Sequence, residues 1–505
     1  MLIRKIRTAM KIAREDGLAP VISLSIKRLN RAALQTTLPM RSRRYHFRRF
    51  LHQANCQDDF SPVYPPRDEF FENYSSTSLH YISERFSKCT RPTSQKRVSS
   101  LEKFMLLDSA YRDWRFTEIA DNSDWYLSCS NDFKVRHRQI VSRSFLKTGR
   151  ISDAKRLVGR NLKDADAGTA LLIADVWNAA DDDEFARSAY ERALSLAPYN
   201  PVIQLFRAYH LLKLGQMREG FLQWSSACAV IGEYPALPKH RIWRGEPLAG
   251  RHIVVLFEYG FGDMIQFSRF LPELQAKHPA ALITAKVPQP LVRLFMHAFP
   301  DIKSSSRPDL RSIDYYISSM QLPLSLGVSR LTPTAGYIRR IPTARRDDAD
   351  RLKVGFCWRG RPLSFDAARS MSVEQMSSLF DLPNREFVAL VHQTTEIERA
   401  FLARFPNVSL PEFSGFHELL GLVGDCDAIV TVDTSVAHLA AAAGIKVFLL
   451  TRPDSCWRWG MRGSQNPWYE SVTVMRHDED MDWPLLISRT KELLCASSDR
   501  RAMVG

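Results

Sequence analysis

The sequence contains no CxxC pair and no apolar run long enough to span a bilayer. A spanning helix needs about 20 consecutive apolar residues, and the longest runs here are shorter. Residues 1–10 carry Arg4, Lys5 and Arg7, but the apolar core of a secretory signal does not follow them. The absence of CxxC disfavours zinc and thioredoxin-like redox sites. The cysteines are scattered, as in proteins of a reducing compartment, at Cys56, Cys89, Cys129, Cys228, Cys357, Cys426, Cys456 and Cys495. We therefore predict a cytoplasmic protein.

Several catalytic signatures are also missing. No GxSxG elbow occurs, which disfavours a serine hydrolase. The Gly-rich segment at residues 259–263 lacks the third glycine of a dinucleotide fingerprint and the Lys-Ser/Thr of a P-loop. Asp425 and Asp427 precede a predicted strand, and Asp478 and Asp480 lie in a polar C-terminal loop, so neither pair is placed to hold a metal against a diphosphate. The sequence predicts neither a metal nor a cofactor.

Residues 425–450, DCDAIVTVDTSVAHLAAAAGIKVFLL, predict a strand, a tight turn, a small-residue helix and a second strand. The apolar run AIVTV ends in Asp433, Thr434 and Ser435, which are residue types that cap helices. Gly444 ends the predicted helix where a left-handed residue is favoured. A capped helix start at the carboxyl end of a parallel strand is suited to an anion. A βα unit without any ligand is the alternative at this point.

A second unit of the same kind begins at residue 252. The run HIVVLFE predicts a strand, and Gly260 and Gly262 then allow a sharp turn and the close approach of a ligand. Asp263 follows at the start of a segment with apolar residues at helical spacing. The helix dipole favours an ionised carboxylate there, so Asp263 is a candidate general base. The alternative is an ordinary N-terminal helix residue.

Seven segments of residues 241–494 occur together in a recognisable order: WRGEPLAGRHIVVLFEYGFGDMIQFSRFLPEL, LPLSLG, VGFCWRG, RSMSVEQM, TVDTSVAHLAAAAG, CWRWG and NPWYESV. By these segments the region resembles the glycosyltransferase domain of bacterial tetratricopeptide-repeat proteins. That domain is similar to the heptosyltransferase-like family 9 and, more distantly, to the O-linked N-acetylglucosamine transferases. The resemblance implies a GT-B architecture, in which two Rossmann-like halves hold a nucleotide sugar between them. Tyr259 departs from the glutamine of the family's Gly-rich loop.

The resemblance also implies a chemistry: metal-independent, inverting transfer of a sugar from a nucleotide-sugar donor to a hydroxyl of a glycan, lipid-glycan or protein. Asp263 would take the acceptor's proton, and Arg359 or Arg361 would neutralise the leaving group. The residues implied to bind the donor are Gly260, Gly262, Arg359, Arg361, Asp433, Thr434, Ser435, His438 and Trp459. Two of them have alternatives, since His438 fits a hydrogen-bonded core histidine and Trp459 fits packing at a domain hinge.

Residues 135–236 show a helical repeat. Ala186, Tyr190 and Ala193 have the spacing of the second helix of a tetratricopeptide (TPR) unit, and Gly220, Trp224 and Ala227 recur 34 residues later. Such a short array binds a protein partner or braces the following domain.

Residues 1–50 hold thirteen Lys and Arg and two acids, a net charge of +11 (13 − 2) out of +15 for the chain. Their apolar residues recur at helical spacing, so this segment is suited to an anionic membrane surface, where each basic residue contributes about 1 kcal/mol. A solvated, disordered tail is the alternative. No nucleic-acid-binding fold is recognised, so we expect no nucleic-acid partner.

The predicted fold class is α plus α/β: a short TPR-like helical region followed by a GT-B pair of Rossmann-like domains. A non-catalytic TPR/GT-B scaffold and a nucleotide-sugar epimerase are the alternative functions. The predicted segments are residues 1–50 (basic tail), 51–134 (mainly helical), 135–236 (TPR-like repeats), 246–345 (first half), 350–494 (second half, on the nucleotide-sugar side) and 495–505 (tail).

Overall fold

The computed structural model describes residues 100–113, 115–128, 131–231, 237–341, 351–360, 369–452, 454–460, 463–476 and 483–502. All of these belong to one compact unit, Pro66–Gly505. The predicted basic tail at residues 1–50 and the candidate residue Arg361 lie outside the described residues. Residues 51–99, which belong to the segment predicted to be mainly helical, also lie outside them.

The described chain from residue 100 to residue 231 is helical, as predicted. Two helix pairs repeat here, because α6 and α8 begin 34 residues apart, and so do α7 and α9. Asp166 and Asn200 cap α6 and α8 by accepting backbone N–H groups, and each cap contributes about 1 kcal/mol. The helices are α1 (Ser100–Arg112), α2 (Phe116–Asp121), α3 (Ser123–Leu127), α4 (Asn131–Lys147), α5 (Ile151–Val158), α6 (Ala167–Ala179), α7 (Asp183–Leu196), α8 (Pro201–Lys213) and α9 (Met217–Ile231).

The first α/β unit is built on a four-stranded parallel sheet with the strand order β3-β2-β1-β4. Its strands are β1 (His252–Leu256), β2 (Leu282–Lys286), β3 (Lys303–Ser305) and β4 (Tyr315–Ser318). Its helices are α10 (Phe261–Phe267), α11 (Leu271–Lys277), α12 (Gln289–Ala298) and α13 (Leu322–Ser325).

The second unit is built on a six-stranded parallel sheet with the order β10-β9-β8-β5-β6-β7. Its strands are β5 (Leu352–Cys357), β6 (Arg385–Ala389), β7 (Val408–Ser409), β8 (Ala428–Val432), β9 (Lys446–Thr451) and β10 (Val472–Arg476). Its helices are α14 (Val373–Met376), α15 (Glu396–Leu402), α16 (Phe416–Gly424), α17 (Ser435–Ala442) and α18 (Trp483–Ala502). Helix α18 continues past Leu494, so the boundary that we placed there is too early.

The predicted combination of a helical segment with parallel α/β sheets is confirmed. Strand β8 has the predicted bounds, and Gly444 adopts a left-handed φ of 70° just beyond α17. A continuous apolar core runs from α8 and α9 through both sheets to α18. Whether the helix pairs form a true TPR array stays a prediction. Among the helices that the structure describes, none is both long and apolar enough to cross a membrane.

Candidate functional site

The strand order of each sheet reverses at one place. In the first sheet the reversal lies between β1 and β4, and in the second it lies between β5 and β8. Parallel sheets bind ligands outside the carboxyl ends of the strands at such switch points. The turn that follows β1 and the turn that follows β8 lead into α10 and α17, and these two helices pack against each other. The switch points of the two sheets are therefore joined at one site.

The turn after β1 owes its shape to Tyr259 and not to a glycine, which corrects our expectation. Tyr259 has a left-handed φ of 73°, whereas Gly260 has an ordinary φ of −75°. Gly262 is required for a different reason, since a Cβ atom there would lie 2.6 Å from Cδ2 of His438. The two glycines thus serve the helix start and the contact between the two halves.

Asp263 lies in the first turn of α10, and both of its carboxylate oxygens have partners. Oδ2 accepts the Gly260 N–H at 2.9 Å, and Oδ1 lies 2.6 Å from Nε of Arg458 in the short helical turn after β9. The Nε–H is not aligned with Oδ1, so the contact is an ion pair and not a well-formed hydrogen bond. Burial alone would lower the pKa of Arg458, but Asp263, together with Cys456 and Tyr209, outweighs this effect and the pKa is raised.

The turn after β8 contains Asp433, Thr434 and Ser435, and the structure places all three at the start of α17. Thr434 is the residue before the helix, with extended φ and ψ of −140° and 170°, yet its side chain does not cap α17. Its Oγ1 instead lies 3.1 Å from Oγ1 of Thr431, so our expectation of a side-chain cap is wrong. The first N–H groups of a helix have no partner within the helix, and here they lie beside the switch point.

His438 and Trp459 form one buried stack, with ring centroids 4.6 Å apart. Nδ1 of His438 lies 3.1 Å from the Tyr469 hydroxyl. Burial lowers the pKa of His438 well below its usual value, and Arg458 and Arg369 lower it further, so the ring is neutral at pH 7. Trp459 is fully buried. Both placements favour the packing alternatives over direct contact with a ligand.

Arg359 follows β5 and does not face the site with a free guanidinium, contrary to our expectation. Its Nε and Nη2 donate to the two carboxylate oxygens of Glu398, each at 2.7 Å, and Nη2 also donates to the Gln393 carbonyl at 3.0 Å. Burial raises the pKa of Glu398, but the bonds from Arg359, Thr395 and Trp358 outweigh it and lower this pKa to about 2. This bidentate pair fixes the loop after β5.

Arg369 is the cation that the sequence interpretation missed. Its Nη1 lies 3.8 Å from Oδ2 of Asp433, and its side chain keeps 42% of its surface exposed, compared with 13% for Arg359. The RSMSVEQM motif contains this arginine, and its position between β5 and β6 beside the switch point was the available signal. Arg369 is thus the better candidate for contact with an anionic ligand.

The acidic pair before β8 is structural. Asp425 pairs with Nζ of Lys353, and Oδ2 of Asp427 accepts the Lys353 backbone N–H at 2.9 Å. Within the described ranges, no three His, Cys, Asp or Glu side chains are grouped so that they could hold a metal ion. Asp478 and Asp480 lie outside those ranges.

No family model matches the chain. Protein FlbA of Caulobacter vibrioides is 25% identical in an alignment of 336 residues that covers 58% of this chain and 55% of FlbA. The chain thus spans about half the length of this relative. ADP-heptose LPS heptosyltransferase II of E. coli is 16% identical with a TM-score of 0.36, covering 50% of this chain and 99% of that chain. A glycosyl transferase family 9 protein from Veillonella parvula is 13% identical with a TM-score of 0.34, covering 47% and 88%. At these values the similarity alone assigns no activity.

Proposed function

We propose that this protein is a metal-independent, inverting glycosyltransferase. It moves a sugar from a nucleotide-sugar donor to a hydroxyl group of a glycan, a lipid-glycan or a protein. The observation that carries the proposal is the contact between Gly262 and His438, which joins the switch points of two parallel sheets at one site. The ordered motifs of residues 241–494 support it from the sequence.

The donor belongs at the turn after β8. The uncapped start of α17 offers backbone N–H groups, beginning with Ser435, to a diphosphate. Arg369 lies beside Asp433 with a partly exposed side chain and neutralises the charge that develops on the leaving group. Arg359 supports this loop through Glu398 and does not contact the donor.

The acceptor belongs at the turn after β1. A carboxylate oxygen offers more than one lone-pair position, so Asp263 can accept from an acceptor hydroxyl while Gly260 and Arg458 hold its two oxygens. Asp263 then takes the hydroxyl proton as the sugar is transferred. In this proposal the base and the leaving nucleoside diphosphate belong to different turns and attack and departure take place on opposite faces of the sugar carbon, so a single displacement inverts it.

The remaining parts carry the partner contacts in this proposal. The helix pairs α6–α7 and α8–α9 form a short TPR-like array that binds a protein partner or braces the site. Residues 1–50 bind an anionic membrane surface, which places the enzyme in the cytoplasm at the inner face of the membrane.

A second candidate is a non-catalytic scaffold, and a specific observation favours it. Arg359, both oxygens of Asp263, and Trp459 are all engaged in contacts within the chain. A degenerate transferase domain that only binds partners would retain such contacts without binding a donor.

A thermal-shift panel of UDP-, GDP-, ADP-, CMP- and dTDP-sugars separates the two candidates. The transferase predicts a specific rise of several degrees with one nucleotide class, and it predicts the same rise in the presence of EDTA. Silence across the panel would favour the scaffold, whereas a rise that EDTA abolishes would contradict metal independence alone. Consumption of the donor without any acceptor would indicate an epimerase.

A further inference from the structure

Helix α9 contacts the chain neighbours of both groups that hold the Asp263 carboxylate: Trp457, next to Arg458, and Tyr259, next to Gly260. This helix belongs to the helical segment, outside the two α/β units, and Phe221 and Trp224 are both buried on it. Residues three positions apart lie on the same helix face. The face that carries these two aromatic rings is packed against the site.

The first contact path runs through Phe221. Its ring meets Phe267 of α10 edge-on at 6.0 Å and meets Trp457 edge-on at 6.2 Å. The Arg458 guanidinium lies over the Trp457 ring, 4.4 Å from its centroid, and Arg458 in turn pairs with Oδ1 of Asp263. Phe221 therefore touches the first α/β unit and also the tryptophan on which the cation of the second unit rests.

The second contact path runs through Trp224, whose ring centroid lies 6.1 Å from that of Tyr259. A tyrosine with a φ of 73° is in a sparsely populated conformation, which persists only where its surroundings hold it. The next residue, Gly260, donates the N–H that binds Oδ2 of Asp263. Further along α9, Ser225 accepts a hydrogen bond from Gln321, just after β4, at 2.6 Å.

We propose that α9 is a positioning element of the site. Phe221 fixes the position of the Arg458 guanidinium through Trp457, and Trp224 fixes the direction of the Gly260 N–H through Tyr259. The positions of both Asp263 oxygens are then fixed, through their partners, by one helix outside the α/β units. This inference rests on the proposed function for its effect on turnover, but its structural part does not. The helical segment is, on this account, a working part of the site, and Phe221 and Trp224 act without touching the substrate.

The test uses the full-length protein with Trp224→Leu, which removes the ring and keeps an apolar side chain. We expect kcat to fall about 100-fold, as for a displacement of about 1 Å of a reacting group, with the donor KM within about threefold of wild type. Hydrogen exchange at the Gly260 amide should accelerate while exchange in β1 and β8 stays slow. Trp224→Phe should restore most of both values. Leu222→Ala, at an exposed position of the same helix, is the matched control and should change neither.

Wild-type kcat and wild-type exchange at Gly260 in Trp224→Leu would overturn the proposal. The proposal would also be overturned if Trp224→Leu lost protection from exchange throughout β1 and β8, and if Trp224→Phe recovered activity only in proportion to its melting temperature. That pattern would indicate a purely structural role for Trp224. If Trp224→Leu does not fold, Tyr259→Leu removes the same contact from the other side and the same two readouts decide. If the wild type transfers no sugar, the proposed function fails, and exchange at Gly260 still decides the positioning role.

Discussion

The two βα turns that meet at the site differ in what their polar side chains bond. At the start of α10, the Asp263 carboxylate accepts the Gly260 N–H from within the same turn. At the start of α17, the Thr434 hydroxyl is directed to Thr431, and the Thr434 side chain does not cap the helix. The first turn thus presents a held carboxylate, and the second presents an uncapped helix start.

This difference assigns separate chemical roles to the two turns. An uncapped helix N-terminus favours an anion through its N–H groups and its dipole, whereas a carboxylate repels an anion and attracts a hydroxyl proton. Arg458 contributes to the first turn by pairing with Asp263, and Arg369 lies beside Asp433 at the second turn. The comparison therefore predicts that changes at the first turn affect transfer and that changes at the second turn affect donor binding.

The largest expected effect is on turnover at the first turn. Asp263→Asn keeps the size of the side chain and retains an oxygen that can accept the Gly260 N–H, but it removes the proton acceptor. We expect transfer to fall 10²–10⁴-fold, as is typical of the loss of such a group. Initial-rate measurements with the donor identified by the panel check this. Turnover within about tenfold of wild type would mean that Asp263 only bonds its helix start.

A smaller effect is expected where the two turns touch. Gly262→Ala places a Cβ 2.6 Å from Cδ2 of the stacked His438 ring, and such overpacking costs about 1–3 kcal/mol. Gly421→Ala in α16 is the matched control, because nothing lies within 4 Å of its added Cβ. A glycine-to-alanine change inside a helix stabilises by roughly 0.5–1 kcal/mol. Chemical denaturation should show that the unfolding free energy falls in Gly262→Ala and rises in Gly421→Ala, each relative to wild type. Equal unfolding free energies of the two variants would contradict the close contact.

The smallest expected effect is on stability and concerns the pair that Arg359 forms with Glu398, away from the donor. Arg359 and neighbouring donors lower the pKa of Glu398 from 4.5 to about 2, against the effect of burial. A lowered carboxylate pKa stabilises the folded state above the unfolded value, and this contribution is lost as the pH falls from 4.5 towards 2. Glu398→Gln should therefore lower the unfolding free energy at pH 7 by more than at pH 3. Glu396→Gln, at an exposed position in the first turn of the same helix, is the control for removing a charge there without breaking the Arg359 pair.

The local elements on either side of the second turn could be predicted from the sequence because backbone pattern determines them. The bounds of β8 and the left-handed Gly444 follow from an apolar run and a helix stop. The partners of the charged groups could not be predicted in this way. Arg359 finds Glu398 on another helix, and Asp263 finds Arg458 on the other α/β unit. Such pairs depend on how distant segments pack. Only the structure therefore shows which of the predicted residues face the site and which support it.

The left-handed turn after β1 was missed for a related reason. Gly260 and Gly262 suggested that a glycine would provide the sharp turn, yet Tyr259 adopts the positive φ. Local preference favours glycine at such a position, whereas the tyrosine there packs against Trp224 of a distant helix.

The central claim is that the donor binds the start of α17, and donor affinity of Ser435→Pro tests it most directly. Proline is tolerated at the first helical position, and Thr434 already has the extended backbone that precedes a proline. The change therefore removes one N–H and leaves the helix intact. We expect the donor affinity of Ser435→Pro to fall about 10- to 100-fold, as for one hydrogen bond to a charged group. Ser435→Ala keeps the N–H and should lose less affinity, and the affinity of Asp263→Asn should stay near that of wild type. Unchanged affinity in a folded Ser435→Pro protein, together with lost affinity in Asp263→Asn, would contradict the account.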